Sequence, residues 1–352
     1  AVCRRWSGAW IKGWKSNAPS CRCFSHVSLQ DVVKGSICSR QLVDQNGAPL
    51  CFSSAQRCIE QCSLRSSTDS FRHTLFQSLF RSSSENVERA CSFFQTTGGY
   101  EWNVRSVLEA FRVNGVKREL FIPRPSSLNL LRTLSIMDIR YRFYRFLFYG
   151  KGDVNLGGMV EDLLLCSKHS CVLLEGSGSY PTGLLMNKNA LETVLDVCAE
   201  RGHIVWLNLM NMGLNEGSVS DDGEVVSLCV KKGLNCVVSL NLGGTFGLGG
   251  NGFGCVFGLN NEWKEQIGES EGILRQCIGR LLQDPVLRGQ WEEELEEERS
   301  RLMRLRSLLS KNDQAMRFLD YGCGPYAVIP RKGGGVLNLS MINEMEISSP
   351  NL

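Results

Sequence analysis

Residues 241–254 read Asn-Leu-Gly-Gly-Thr-Phe-Gly-Leu-Gly-Gly-Asn-Gly-Phe-Gly. They follow an apolar run at 236–240, Cys-Val-Val-Ser-Leu, which has the composition of a buried strand. Gly247, Gly249 and Gly252 form a G-x-G-x-x-G pattern. In a dinucleotide-binding unit such glycines lead from a strand into a helix whose N-terminus holds the pyrophosphate. Here the next residues, Phe-Gly-Cys-Val-Phe at 253–257, read as another strand. The pattern also lies far from any first βα unit, so nucleotide binding is not expected. A phosphate loop of the G-x-x-x-x-G-K-[S/T] type is absent from the sequence.

Upstream of this stretch, strands and helices alternate. Residues 170–175 and 204–209 read as buried strands, 187–202 as a helix stopped by Gly202, and 221–233 as another helix. Such alternation predicts right-handed crossovers and a mostly parallel sheet covered on both faces. Earlier, 66–84 has the spacing of an amphipathic helix, 101–114 reads as helical and 119–122 as a strand. In 138–149, Arg140, Arg142 and Arg145 are interleaved with aromatics, which suggests a strand with a basic face. After Pro285, suited to a first helical turn, residues 287–309 place Trp291, Leu295, Leu302, Leu305 and Leu309 along one side of a long charged helix.

The net charge of +3 is unevenly placed. Residues 1–150 hold 21 Lys/Arg against 10 Asp/Glu, a balance of +11, and the remainder hold 18 against 26, a balance of −8. That asymmetry points to an acidic or polyanionic partner for the first part, or simply to a solvated basic surface. The first 30 residues contain no acid, carry Arg4 and Arg5, and repeat Trp6, Trp10 and Trp14 at helical spacing. Basic, amphipathic and acid-poor segments resemble mitochondrial targeting sequences. This segment is expected to be a targeting remnant or a retained arm that packs on a partner. No apolar run is long enough to cross a bilayer.

Sixteen cysteines are scattered without a C-x-x-C pair, and none of the four histidines stands at zinc-finger spacing from a cysteine pair. The cysteines are expected to be free thiols in the core, with no metal site. Ser179, in Gly-Ser-Gly-Ser-Tyr, is not in a nucleophile elbow, and Asp221-Asp222 is better placed to cap a helix than to ligate a metal.

The blocks around 172–254 resemble the aspartate aminotransferases. Val-Leu-Leu-Glu-Gly-Ser-Gly-Ser-Tyr-Pro-Thr-Gly (172–183) is similar to that family's segment ending in N-P-T-G. His-Ile-Val-Trp-Leu-Asn-Leu-Met-Asn-Met-Gly-Leu (203–214) resembles its strand and loop ending in D-x-A-Y-Q-G-F, and 241–254 resembles S-x-S-K-N-F-G-L-Y-x-E-R-x-G. Weaker matches at 43–49, 96–99, 121–129 and 283–291 fall in the same order. The resemblance implies an α/β fold of the pyridoxal-phosphate transferase type. That fold has a three-layer large domain with a mostly parallel sheet, expected over 46–290, and a reduced small α+β domain, expected over 26–45 and 291–343. An arm at 1–25 and a tail at 344–352 complete the division.

In that family a lysine forms a Schiff base with the cofactor, an aspartate pairs with the pyridine nitrogen, and a tyrosine bonds the ring oxygen. The resemblance aligns these with Gly244, Asn208 and Asn211. Tyr180 stands for the N-P-T-G asparagine and Ser127 for the tryptophan that stacks on the ring. Asn241 and Gly243 stand for phosphate-binding serines, Gly252 for the phosphate-binding arginine, and Arg40 where a glycine lets substrate approach. Lys231 and Lys232 precede the strand rather than lying in the loop, so a substitute lysine is not expected. The expectation is a pseudoenzyme without catalytic residues or cofactor, serving as a structural subunit of a large assembly in the mitochondrial matrix. A mitochondrial ribosome or associated ribonucleoprotein comes first, with protein subunits and ribosomal RNA as partners, and a supernumerary respiratory-complex subunit second. Arg4, Arg5, Trp6, Trp10, Trp14, Arg140, Arg142 and Arg145 are the candidate contacts. A ligand-binding pseudoenzyme that uses the emptied cleft is the alternative, and a homodimer like the family's is compatible with either.

Overall fold

The computed structural model describes residues 49–60, 68–116, 118–149, 151–215, 217–248, 252–264, 273–312, 319–320, 322–328 and 336–341. The basic arm with Arg4, Arg5, Trp6, Trp10 and Trp14, and also Arg40, Gly249 and the tail at 344–352, lie outside the described residues.

In chain order the elements are α1 (Ser53–Glu60), α2 (Thr68–Phe80), α3 (Ser84–Ala90), β1 (Cys91–Thr97), α4 (Tyr100–Val113), β2 (Leu120–Arg124), α5 (Leu128–Ile136) and β3 (Tyr141–Arg145). A short pair β4 (Leu147–Phe148) and β5 (Asp153–Val154) leads to α6 (Leu156–Leu165), β6 (Cys171–Ser177), α7 (Lys188–Arg201) and β7 (Ile204–Met210). Then come α8 (Val219–Asp222), α9 (Glu224–Lys231), β8 (Cys236–Asn241), β9 (Gly254–Leu259), α10 (Ile273–Gln283) and α11 (Pro285–Asn312), and a last hairpin of β10 (Tyr326–Val328) and β11 (Val336–Asn338).

Seven strands form one sheet in the order β1-β9-β8-β7-β6-β2-β3. The pairs from β8 through β3 are parallel, and β9 runs antiparallel to both β8 and β1. The mostly parallel three-layer α/β arrangement expected from the sequence is therefore present. Alternation along each strand divides the core by sheet face. On one face Leu174, Leu207, Val238 and Phe257 pack with Phe76 of α2, Val194 of α7 and Val226 of α9. The α11 stripe of Trp291, Leu295, Leu302, Leu305 and Leu309 joins that same cluster. On the other face Leu173, Trp206, Val237 and Val256 pack with Val104, Val107 and Leu108 of α4 and Leu130 and Leu134 of α5.

Local chemistry explains the helix limits. Asn187 caps α7 by accepting from the Ala190 amide at 2.9 Å, and Gly202 closes it in the left-handed conformation with φ of 64°. Gly223 divides the helix expected over 221–233 into α8 and α9, and Ser218 and Asp221 form a reciprocal capping box at the start of α8. That is the capping role expected for Asp221. Nine of the described cysteines are buried and all are free, as small core residues would be.

Two elements have no legible periodicity. α6 begins through Gly157 and Gly158, which argue against a helix, but Asn155 caps it by accepting from the Gly158 amide at 3.0 Å. β1 is recognisable only through its pairing with β9, where Phe94 meets Phe257 and Phe76 in an aromatic cluster.

Candidate functional site

The carboxyl ends of β6, β7 and β8 open side by side, and the segments with the family-like motifs leave from them. After β6 the chain turns through Ser179–Gly183, where the Gly183 amide donates to Ser179 O at 2.7 Å and the Ser179 and Thr182 hydroxyls lie 2.8 Å apart. The Tyr180–Pro181 peptide is cis. Tyr180 is buried edge-on against Tyr326, with ring centroids 4.9 Å apart. After β7, Asn211 holds φ of 53° and is buried, and its side-chain nitrogen has no hydrogen-bond partner among the described residues.

Asp222 fixes this second loop. Its carboxylate accepts from the Gly213 amide at 2.7 Å and from Asn215 Nδ2 at 2.8 Å. Burial pushes its carboxyl up to about 6, against hydrogen bonds that act to lower it. The folded state therefore holds this proton more tightly than the unfolded chain. Its contribution to stability is complete below about pH 4 and lost as pH rises to about 6. A displacement of about two units corresponds to roughly 3 kcal/mol. Asp222→Asn, which keeps an acceptor, is expected to remove that slope in urea unfolding between pH 4 and 7. Parallel curves for the two proteins would contradict the assignment.

The loop after β8 is the glycine-rich stretch. It coils tightly: Phe246, Gly247 and Leu248 amides donate to Leu242, Gly244 and Gly243 carbonyls at 3.0–3.1 Å. Phe246 stacks on Trp291 of α11 at 5.0 Å, and Trp291 Nε1 donates to Thr245 O at 2.8 Å. Gly247 has φ of 55°, and a Cβ there would lie 2.3 Å from the Phe52 ring. At Gly252, a Cβ would lie 2.1 Å from Gly98 O. The turn that opens α4 thus presses on the position aligned with the family's phosphate-binding arginine.

The floor between these loops is a polar ladder. Glu175, Asn208 and Ser239 stand opposite one another on adjacent strands. Asn208 Nδ2 donates to Glu175 Oε2 at 2.8 Å, and its Oδ1 accepts from Ser239 Oγ at 2.9 Å. Ser239 Oγ in turn accepts from Trp206 Nε1 at 2.9 Å. All four side chains are buried. Nearby, burial and then the Glu175 carboxylate push the Tyr144 hydroxyl well above its usual value, and that hydroxyl donates to Leu173 O at 2.8 Å. Glu175 has no signal in the sequence beyond a strand position. Its role comes from register, which aligns residues 33 apart.

The other aligned positions take structural duties. Ser127 caps α5 by accepting from the Leu130 amide at 3.1 Å, and its hydroxyl lies 3.3 Å from that of Tyr100. Lys231 ends α9 and Lys232 precedes β8, which puts both at the amino end of that strand, away from Gly244. Lys232 pairs with Asp196.

Residues 54–329 match the family described as aminotransferase class I and II. The chain belongs to that family. Among curated relatives, the family's aspartate aminotransferase of Pseudomonas aeruginosa is 28% identical over 177 residues, 46% of this chain and 44% of its own. The mitochondrial aspartate aminotransferase of Dictyostelium discoideum is 23% identical over 206 residues, 54% of this chain and 48% of its own. The chain thus spans about half the length of the curated relatives it matches. Similar folds include the aromatic-amino-acid aminotransferase of Burkholderia pseudomallei, covalently bound to pyridoxal phosphate, with a TM-score of 0.79 at 17% identity over 88% of both chains. The cytoplasmic aspartate aminotransferase of Saccharomyces cerevisiae gives 0.76 at 15% over 87% of both.

The structure changes the reading of the candidate contacts. Arg142 and Arg145 do not form a free basic face. Arg142 Nε donates to Glu119 at 2.8 Å, and Arg145 engages both Glu161 and Asp162, at 2.6 and 2.7 Å. Their charges are neutralised because neighbouring elements supply carboxylates. Arg140 is exposed and has no ion pair among the described residues.

Proposed function

We propose that this member of the aminotransferase family is a non-catalytic structural subunit, retained for its surfaces. The observation that carries the reading is the closed contact at Gly252. The position aligned with the phosphate-binding arginine has no room for a side chain, because Gly98 occupies the space where one would begin. The other aligned residues agree. Gly244 brings no amine, and the Asn208 amide is committed to Glu175 and Ser239. An aspartate at 208 would set a second buried carboxylate against Glu175, which low dielectric opposes. Pyridoxal phosphate does not fit this residue set, and no catalytic step is assigned to it.

The partner is proposed to be a large mitochondrial assembly, first a ribosome or associated ribonucleoprotein. The acid-free first 30 residues and the +11 balance of residues 1–150 support this. Relatives named mitochondrial, from Dictyostelium discoideum, Lupinus angustifolius and Schizosaccharomyces pombe, agree with the compartment. Pairing of Arg142 and Arg145 shifts the RNA-facing role toward the N-terminal arm. Sedimentation of native extracts tests the reading. The chain is expected in a fast-migrating particle and, for the ribonucleoprotein version, to leave it after RNase or high salt. Sedimentation as a free monomer or dimer would contradict it. A particle indifferent to RNase and salt would leave a protein assembly such as a respiratory complex.

A further inference from the structure

The amino end of the sheet, opposite the glycine loop, carries a second concavity. A cavity of about 530 Å³ is lined on one part by Leu108, Phe111, Leu120 and Ile139 and on another by charged side chains, Arg118 and Arg140 among them. That volume is typical of a ligand pocket, and the lining mixes apolar side chains with charged ones. Arg112, also in the lining, is held by Glu109, and Glu119 is held by Arg142. Arg118 and Arg140 have no ion pair among the described residues, and both are exposed. Asp138 adds one carboxylate to the lining, which disfavours a multiply charged anion.

The pocket lies where β3 begins, and β3 is the last strand of the sheet. The Leu120 amide donates to Arg140 O at 3.2 Å. In a parallel ladder alternate residues turn both backbone groups the same way. Arg140, Arg142 and Tyr144 therefore face β2, while Tyr141, Phe143 and Arg145 face outward. The Arg145 amide is taken by Asp162 at 2.8 Å. The outward groups of Tyr141 and Phe143 have no partner among the described residues. An open strand edge is a template for another strand.

We propose that this edge and pocket bind the C-terminal end of a partner protein whose last residue is large and apolar. A peptide running antiparallel to β3 ends at Arg140. Its terminal carboxylate meets Arg118 and Arg140, its last side chain enters the apolar part of the cavity beside Leu108, Phe111, Leu120 and Ile139, and its backbone pairs with Tyr141 and Phe143. A single carboxylate satisfies two guanidinium groups beside Asp138, whereas an RNA backbone brings several phosphates to a rim of small net charge. The proposal rests on the reading that the chain is retained for its surfaces.

Fluorescence anisotropy on the full chain tests it, with the N-terminally labelled peptide Thr-Val-Thr-Val-Phe as probe, as free acid and as amide. The free acid is expected to bind at least about tenfold more tightly than the amide, the range of a charge-assisted hydrogen bond. The Arg118→Gln, Arg140→Gln double variant should lose that preference. Phe143→Pro removes the outward N–H, which an edge strand tolerates, together with a ring that contacts Tyr141 and Arg124, and should weaken both forms equally. Unchanged melting temperatures would confirm that both variants fold. Equal binding of acid and amide, no binding of the free acid at about 1 mM, or displacement of the acid by polyuridylate would each overturn the proposal. None of these outcomes touches the non-catalytic reading, which cofactor binding decides separately.

Discussion

Trp291→Ala is expected to lower the unfolding free energy by about 4 kcal/mol, the range for removing a large aromatic from a packed core. Trp291 is almost completely buried, stacks on Phe246 and donates to Thr245 O. It is the contact by which α11 holds the glycine-rich loop. Alanine would leave a cavity at that contact and a buried carbonyl without its donor. Trp291→Phe keeps most of the ring packing and loses only the N–H, so it should cost about 1–2 kcal/mol. Urea unfolding of the two variants beside the parent measures both. A loss below about 1 kcal/mol for alanine would mean that the loop is held elsewhere.

Gly252→Ala is expected to be nearly as damaging, at about 3 kcal/mol, because its Cβ would meet a backbone oxygen that no rotamer change can move. The turn at Gly98–Gly99 must shift, and it carries the start of α4. Arginine at 252, the residue the family alignment places there, should be no better. Gly289 provides the control. It lies within α11, and a Cβ there meets nothing within 4 Å. Gly289→Ala should therefore stabilise by about 0.5–1 kcal/mol through helix propensity. Thermal unfolding that ranks the two alanine variants the other way would reject the close contact at Gly252.

Periodicity and glycine placement made the middle of the chain legible. Residues 170–259 alternate strand and helix, and Gly202 announces the stop of α7, whereas the Ser218 cap of α8 lies ahead of the helix start expected at Asp221. The site was legible as a set of absences, since Gly244 and Gly252 can be read only against neighbouring motifs. What surrounds the aligned positions could not be read. The Glu175–Asn208–Ser239 ladder depends on strand register, which brings together residues distant in sequence. The neutralisation of Arg142 and Arg145 depends on carboxylates from a preceding loop and from α6. β1 and α6 were hidden because their stability comes from tertiary pairing and a single cap rather than from pattern.

We propose that the aminotransferase fold persists here without cofactor chemistry. The most direct measurement is the absorption spectrum of the purified chain before and after incubation with pyridoxal phosphate, followed by borohydride reduction and mass analysis. No visible band beyond that of the free cofactor is expected, and no cofactor mass fixed to residues 217–248. A stable yellow band that borohydride abolishes, with the cofactor retained on one lysine, would contradict it.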